Sequence, residues 1–147
     1  MVTFDQAHEL MSQANLIIQV VVLSALIVLS ILLQRRKKFV WHGNTLLVVV
    51  MIGVLLTVSH MGPSFIRVVA EAIYDFNWVA VLGVLHGVAG VATLILGAWL
   101  VGFWVLSGSD GIRFCAPRKK VMRRILTLWA IALALGIAYY PLHIIFT

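Results

Sequence analysis

The sequence predicts an all-α chain folded as a bundle of four transmembrane helices, with a short amphipathic helix on the outer surface between the second and third. Three observations predict it. Hydrophobic residues make up 63% of the 147 and charged residues only 11%, against about half and about a quarter in a soluble domain, so most of the surface has to face lipid. Four apolar runs reach the roughly 20 residues needed to cross a hydrocarbon core. The basic residues gather in two segments between runs, as membrane topology requires. In a soluble chain the net charge of +6 would hint at nucleic acid; here it belongs to the loops, and no nucleic-acid partner is expected.

The first run, Asn15 to Leu33, follows an acidic segment with Asp5 and Glu9, so it reads as a retained signal anchor rather than a cleaved signal peptide. Arg35, Arg36, Lys37 and Lys38 separate it from the second run, Val40 to Ser59. After Gly62-Pro63, the stretch Ser64 to Phe76 carries Phe65, Ile66, Val69, Ile73 and Phe76 at helical spacing, with Arg67, Glu71 and Asp75 on another face. That is the amphipathic surface helix, either a plain connection or a lid over the outer half of the bundle. The third run, Trp78 to Leu106, exceeds the bilayer and has to tilt or project. A second basic loop with Arg113, Arg118, Lys119, Lys120, Arg123 and Arg124 leads to the last run, Ile125 to Phe146. Backbone groups in lipid bond within their own segment, so runs this long are helices. No internal repeat or linker divides the chain, and residues 1–147 read as one domain.

The positive-inside rule places both basic loops in the cytoplasm, against anionic lipid, and both termini outside. Asp5, Glu9, Glu71 and Asp75 then fall outside, and Trp41 and Trp104 mark one interface while Trp78, Tyr139 and Tyr140 mark the other.

Ionisable residues in membrane spans are rare and point to function. His60 ends the second span, His86 lies early in the third and His143 late in the fourth, all in the outer half, while His42 opens the second span at the inner boundary. Gly53, Gly90 and Gly136 lie four to seven residues from these histidines, on or near the same helix faces. Glycine there lets helices pack closely or makes room for a flat macrocycle. Neutral imidazole is a good ligand for iron, copper and zinc, and bundles build cofactor sites from facing helices. A b-type haem would take His86 with His60 or His143 as axial ligands, with Gly90 and Gly136 lining its slot. Arg67 is the one basic residue on that side and the natural propionate partner. Copper is the competing metal, because Met61 adds a thioether beside His60. Against ligation, His60 and His143 would face water among headgroups, and His42 would join the basic cluster on anionic lipid.

Other signals are plainer. Cys115 is the single cysteine; it can form neither an internal disulfide nor a Cys-x-x-Cys site, and reads as a loop residue or a lipidation site. Ser24, Ser30, Thr57 and Thr93 are expected to bond to their own helix backbone. No phosphate loop, metalloprotease motif, paired carboxylates or serine elbow appears.

The short basic linker Gln34-Arg-Arg-Lys-Lys38 before His42, the stretch Leu85-His-Gly-Val-Ala-Gly90, and a last helix with Trp129, Gly136, Ile137, Tyr139 and Tyr140 together resemble the small four-helix CtaM/YozB-like membrane family of bacteria and archaea. The resemblance covers nearly the whole chain after residue 15. It implies a plasma-membrane protein associated with maturation of haem–copper oxidases, and it matches His42 and His86 to the family's histidines. The chain departs in having His60 and His143 and in lacking a methionine one turn after His42, which favours a bound cofactor over a pure assembly role. The leading expectation is a b-type cytochrome-like protein or respiratory-complex subunit that transfers electrons and is not an enzyme on its own. The alternatives are an assembly factor handling haem or copper for an oxidase, and a cofactor-free structural subunit.

Overall fold

The computed structural model describes residues 4–74, 77–107 and 111–146, and every element among them is helical. Helix α1 (Phe4–Ile17), a π-helical stretch (Ile18–Leu23) and α2 (Ser24–Arg35) form the first continuous rod. Helix α3 (Phe39–Leu56), a second π-helical stretch (Thr57–Met61) and α4 (Gly62–Tyr74) form the next. Helices α5 (Trp78–Leu106) and α6 (Gly111–Phe146) complete the chain. Four stretches are long and apolar enough to cross a membrane: Gln13–Arg35, Phe39–Tyr74, Trp78–Leu106 and Pro117–His143. Their outward faces carry large apolar side chains such as Leu55, Val58 and Ile95, each more than three-fifths exposed. Only lipid makes such a surface cheap. The chain is a multi-pass membrane bundle.

The connections follow from local chemistry. At the basic end α2 stops in a tight turn in which Lys37 takes the left-handed conformation, φ 59°. The Lys38 N–H reaches back to the Leu33 carbonyl at 2.9 Å and the Lys37 N–H to that of Gln34 at 3.0 Å. This double bond pattern closes a helix C-terminus and reverses the chain. At the other end Asn77 caps α5, its Oδ1 accepting the Val79 N–H at 3.0 Å.

Two boundaries differ from the sequence reading. Helix α6 starts at Gly111, so Arg118, Lys119, Lys120, Arg123 and Arg124 sit on helical turns and not in a loop. Hydropathy marks where a helix enters lipid, whereas the helix itself begins earlier. The surface helix is also not set off by Gly62-Pro63: α4 continues directly from a π-helical turn, a geometry that interrupts the i−4 ladder and accommodates a residue with no N–H. Asp75 and Phe76, the expected end of that helix, lie outside the described residues. Helix α4 packs on the start of α5, where a side chain on Gly87 would fall on the Phe65 ring and one on Gly83 would meet Val68 at 2.8 Å.

The register of α3 against α5 is constant. Gly43 lies on Trp104, Gly97 lies 3.5 Å from Val50 and Gly53 lies 3.1 Å from Leu94, as read from the position of a Cβ on each glycine. Continued by equal steps to the end of α3, this antiparallel register brings Leu56 level with Val91 and His42 level with Val105, and the π-helical stretch beyond carries Met61 on toward the His86 end of α5. Helix α2 packs on α3, and α6 packs on α5. Among the described residues α2 and α6 make no substantial contact with one another.

Candidate functional site

Between these two hairpins lies a cavity of about 700 Å³, a volume typical of pockets for cofactors and drug-sized ligands. Its walls are mostly apolar, from Leu23, Ile27, Leu46, Val50, Leu94 and Leu133 among others. The polar groups are few and sit at particular levels. His86, Met61 and Gln19 line the end away from the basic loops, and His42, Ser30 and Cys115 line the basic end. Arg35, Lys119 and Arg123 supply its cations. The two histidines are well separated. His42 stands opposite Trp104, which follows His86 by 18 residues on α5, or roughly 27 Å at 1.5 Å per residue.

Both imidazoles are held in the same way. His86 Nδ1 lies 2.8 Å from the Ala132 carbonyl oxygen on α6. A carbonyl only accepts, so Nδ1 carries the proton and Nε2 keeps its lone pair. His42 Nδ1 lies 2.9 Å from the Ser30 carbonyl and 2.7 Å from Ser30 Oγ, which fixes the same tautomer. A ring N–H tied to a backbone carbonyl, with the other nitrogen left basic, is the arrangement that orients metal-ligating histidines. Gly136 brings α6 close enough for this: a Cβ there would fall 2.7 Å from His86 Cε1. Gly90, also on the cavity wall, has open space where its Cβ would be.

The two π-helical stretches meet through Gln19 and Met61, which line the cavity together with His86. The Gln19 side-chain amide donates to the Met61 sulfur at 3.3 Å, and Thr57 Oγ1 approaches the same sulfur at 4.0 Å. Met61 is thus held from two sides on the wall of the cavity that His86 also lines. π-Helical turns often mark functional positions, and here they place Gln19 and Met61 on the cavity wall.

The structure separates the predicted site residues into two groups. His86, Gly90, Gly136 and His42 border or support the cavity. His60, His143 and Arg67 are not among its lining residues. The His143 ring stacks on Tyr139 with centroids 5.2 Å apart, the His60 carbonyl accepts the Ser64 hydroxyl at 2.9 Å, and Arg67 is exposed on α4. None of the α4 residues lines the cavity either. His42 is 5% exposed and so does not face lipid headgroups; the hairpin turn folds it against Ser30. Ser24, Thr57 and Thr93 do bond to their own helix backbone, whereas Ser30 turns to His42. Gln19, Ser30 and the cations of α6 were not identified as site residues by spacing, because cross-helix register is not written in any single span.

Cys115, expected in a loop, is buried on the first turns of α6 beside Leu100 and Trp104. Burial pushes its thiol above the ordinary range, and the Arg118 charge partly opposes this.

No known family, curated protein or solved structure matches the chain significantly.

Proposed function

We propose that the chain is a small b-type cytochrome-like membrane protein that holds one haem in the outer half of its bundle. His86 Nε2 and the Met61 thioether would hold its iron. The observation that carries this reading is the His86 lone pair, fixed by the Ala132 carbonyl at the wall of a cavity far larger than an ion needs, which the Met61 thioether also lines. The residues present fit the group: one imidazole of set tautomer, one soft sulfur, apolar walls, and an open floor at Gly90. Haem would supply one-electron transfer. The protein's own part is to orient the imidazole through Ala132, steady the sulfur through Gln19 and Thr57, and exclude water with Leu and Val side chains.

The cations favour an orientation opposite to the one Arg67 suggested. Arg123 precedes Ala132 by nine residues on α6, so it sits roughly 13 Å from the His86 level toward the basic end. Arg123 and Lys119 would receive the propionates. By the positive-inside rule that end faces the cytoplasm of the host cell, so haem edge and propionates would point inward. The physiological partners in this reading are a membrane electron carrier and a respiratory complex.

A second reading, an assembly factor that carries haem or copper to an oxidase, is favoured by one feature. The α2 and α6 walls lack a helix–helix seam, which offers a bound group a lateral way out. The two readings differ in retention. Protein purified in mild detergent should show a stoichiometric b-type absorption spectrum on dithionite reduction, absent in His86→Ala and kept in His143→Ala. A spectrum that survives His86→Ala overturns the assignment, and haem passing rapidly to an acceptor protein supports the carrier.

A further inference from the structure

Helices α2 and α6 face one another across the cavity without meeting. Leu23, Ile27 and Ile31 on the first rod and Met122, Leu126 and Trp129 on α6 all line it, at the three- and four-residue spacings by which packed helices interlock. Among the described residues, however, the two helices make no substantial contact. An empty gap between apolar faces forfeits dispersion contacts on both sides, and apolar walls give water no partners. In a bilayer the material at hand to fill it is an acyl chain.

The basic end of the gap carries charge. Arg35, Lys119 and Arg123 border the cavity, and all three are exposed. Arg35 is the last residue of the first span and Lys119 the third of the last, the level at which long basic side chains reach for headgroups. Little acid offsets them: of the five acidic residues, only Asp110 falls in a segment joining spans at this end. The dimensions agree as well. Leu23 precedes Arg35 by twelve residues, roughly 18 Å along the rod. One leaflet's hydrocarbon layer is half of a core about 30 Å thick, or roughly 15 Å.

We propose that one anionic phospholipid occupies this gap in the haem-free chain, with its phosphate on Arg35, Lys119 and Arg123 and an acyl chain between α2 and α6. The site does not rest on the haem reading, although haem propionates would draw on two of the same cations and so displace the lipid. It differs from the general attraction of a basic surface for anionic lipid in being one molecule held by three side chains from two helices. Arg36, Lys37 and Lys120, at the same end, do not line the cavity and take no part.

The test is native mass spectrometry of the purified full chain released from nanodiscs of equal phosphatidylglycerol and phosphatidylcholine. Haem-free wild type should keep one phosphatidylglycerol, preferred at least about tenfold over phosphatidylcholine, since each basic side chain near the surface adds roughly fivefold. Replacing Arg35, Lys119 and Arg123 together by Gln should abolish that preference, and the matched replacement of Arg36, Lys37 and Lys120 should leave it. All six side chains are exposed, so the bundle should fold in both variants. His86→Ala, which carries no haem in that reading, should keep the lipid, so either claim can fail without the other. A wild type that carries no lipid, holds both lipids equally, or loses its preference only in the matched control would overturn the proposal. So would a lipid-free dimer, which would give the gap to a helix of a second copy.

Discussion

At the residue scale the central feature is a backbone carbonyl deciding what a histidine does. Ala132 and Ser30 each take the Nδ1 proton of an imidazole from another helix, which leaves a basic Nε2 in an apolar interior. Close approach at Gly136 is part of that device, since a Cβ there would press on His86 Cε1 at 2.7 Å. Gly136→Ala should therefore displace the ring and weaken haem retention about 10–100-fold, the usual cost of disturbing a ligand's support. Gly90→Ala meets open space and should leave the folded bundle as stable as before, read by thermal unfolding in detergent. Haem retention unchanged in Gly136→Ala would mean that ring placement is not what Gly136 provides. Neither residue's role is legible from spacing alone. The sequence shows glycines near histidines, but which helix backbone each one admits depends on register between spans.

At the element scale, the Lys37 turn sets how α2 meets α3, and so sets the Ser30–His42 pair. A left-handed residue tolerates glycine and penalises β-branching. Lys37→Gly should be neutral or slightly stabilising, while Lys37→Val should cost about 1–2 kcal/mol, measured by chemical unfolding in mixed micelles. A cost for Lys37→Gly would instead assign the turn's stability to the lysine charge. The spans themselves were readable in the sequence: Trp78–Leu106 coincides with the expected third helix, and the other three differ only in where helix continues beyond lipid. The π-helical stretches were not readable. Gln19 in Ile18–Leu23 and Thr57, Ser59 and His60 in Thr57–Met61 interrupt the apolar runs, but polar residues in a span do not by themselves distinguish a π-helical turn from an α-helical one. Without those stretches the partnership of Gln19 with Met61 on the cavity wall stays hidden behind the more conspicuous His60.

At the scale of the whole molecule, polarity runs along the cavity. Its two imidazoles stand at opposite ends, and its cations, Arg35, Lys119 and Arg123, come from the basic half. Charge-assisted bonds to carboxylates contribute about 1.5–3 kcal/mol each. Replacing both Lys119 and Arg123 by Gln should thus reduce haem affinity at least about tenfold, while Arg67→Gln should leave it unchanged, both read by haem titration of apoprotein. The reverse pattern would turn the propionates to the outer face. Charge along the sequence marks the axis of the bundle, but not that the basic segment expected as loop is helix, which sets the exposed side chains of Lys119 and Arg123 at the cavity's edge.

The most direct test of the account is the axial ligation of oxidised iron, read by near-infrared magnetic circular dichroism on the haem-loaded protein. Met61 and His86 on the wall of one cavity predict a histidine–methionine pair, with a sulfur-to-iron charge-transfer band that is lost in Met61→Leu. A bis-histidine signature, unchanged in Met61→Leu, would contradict it.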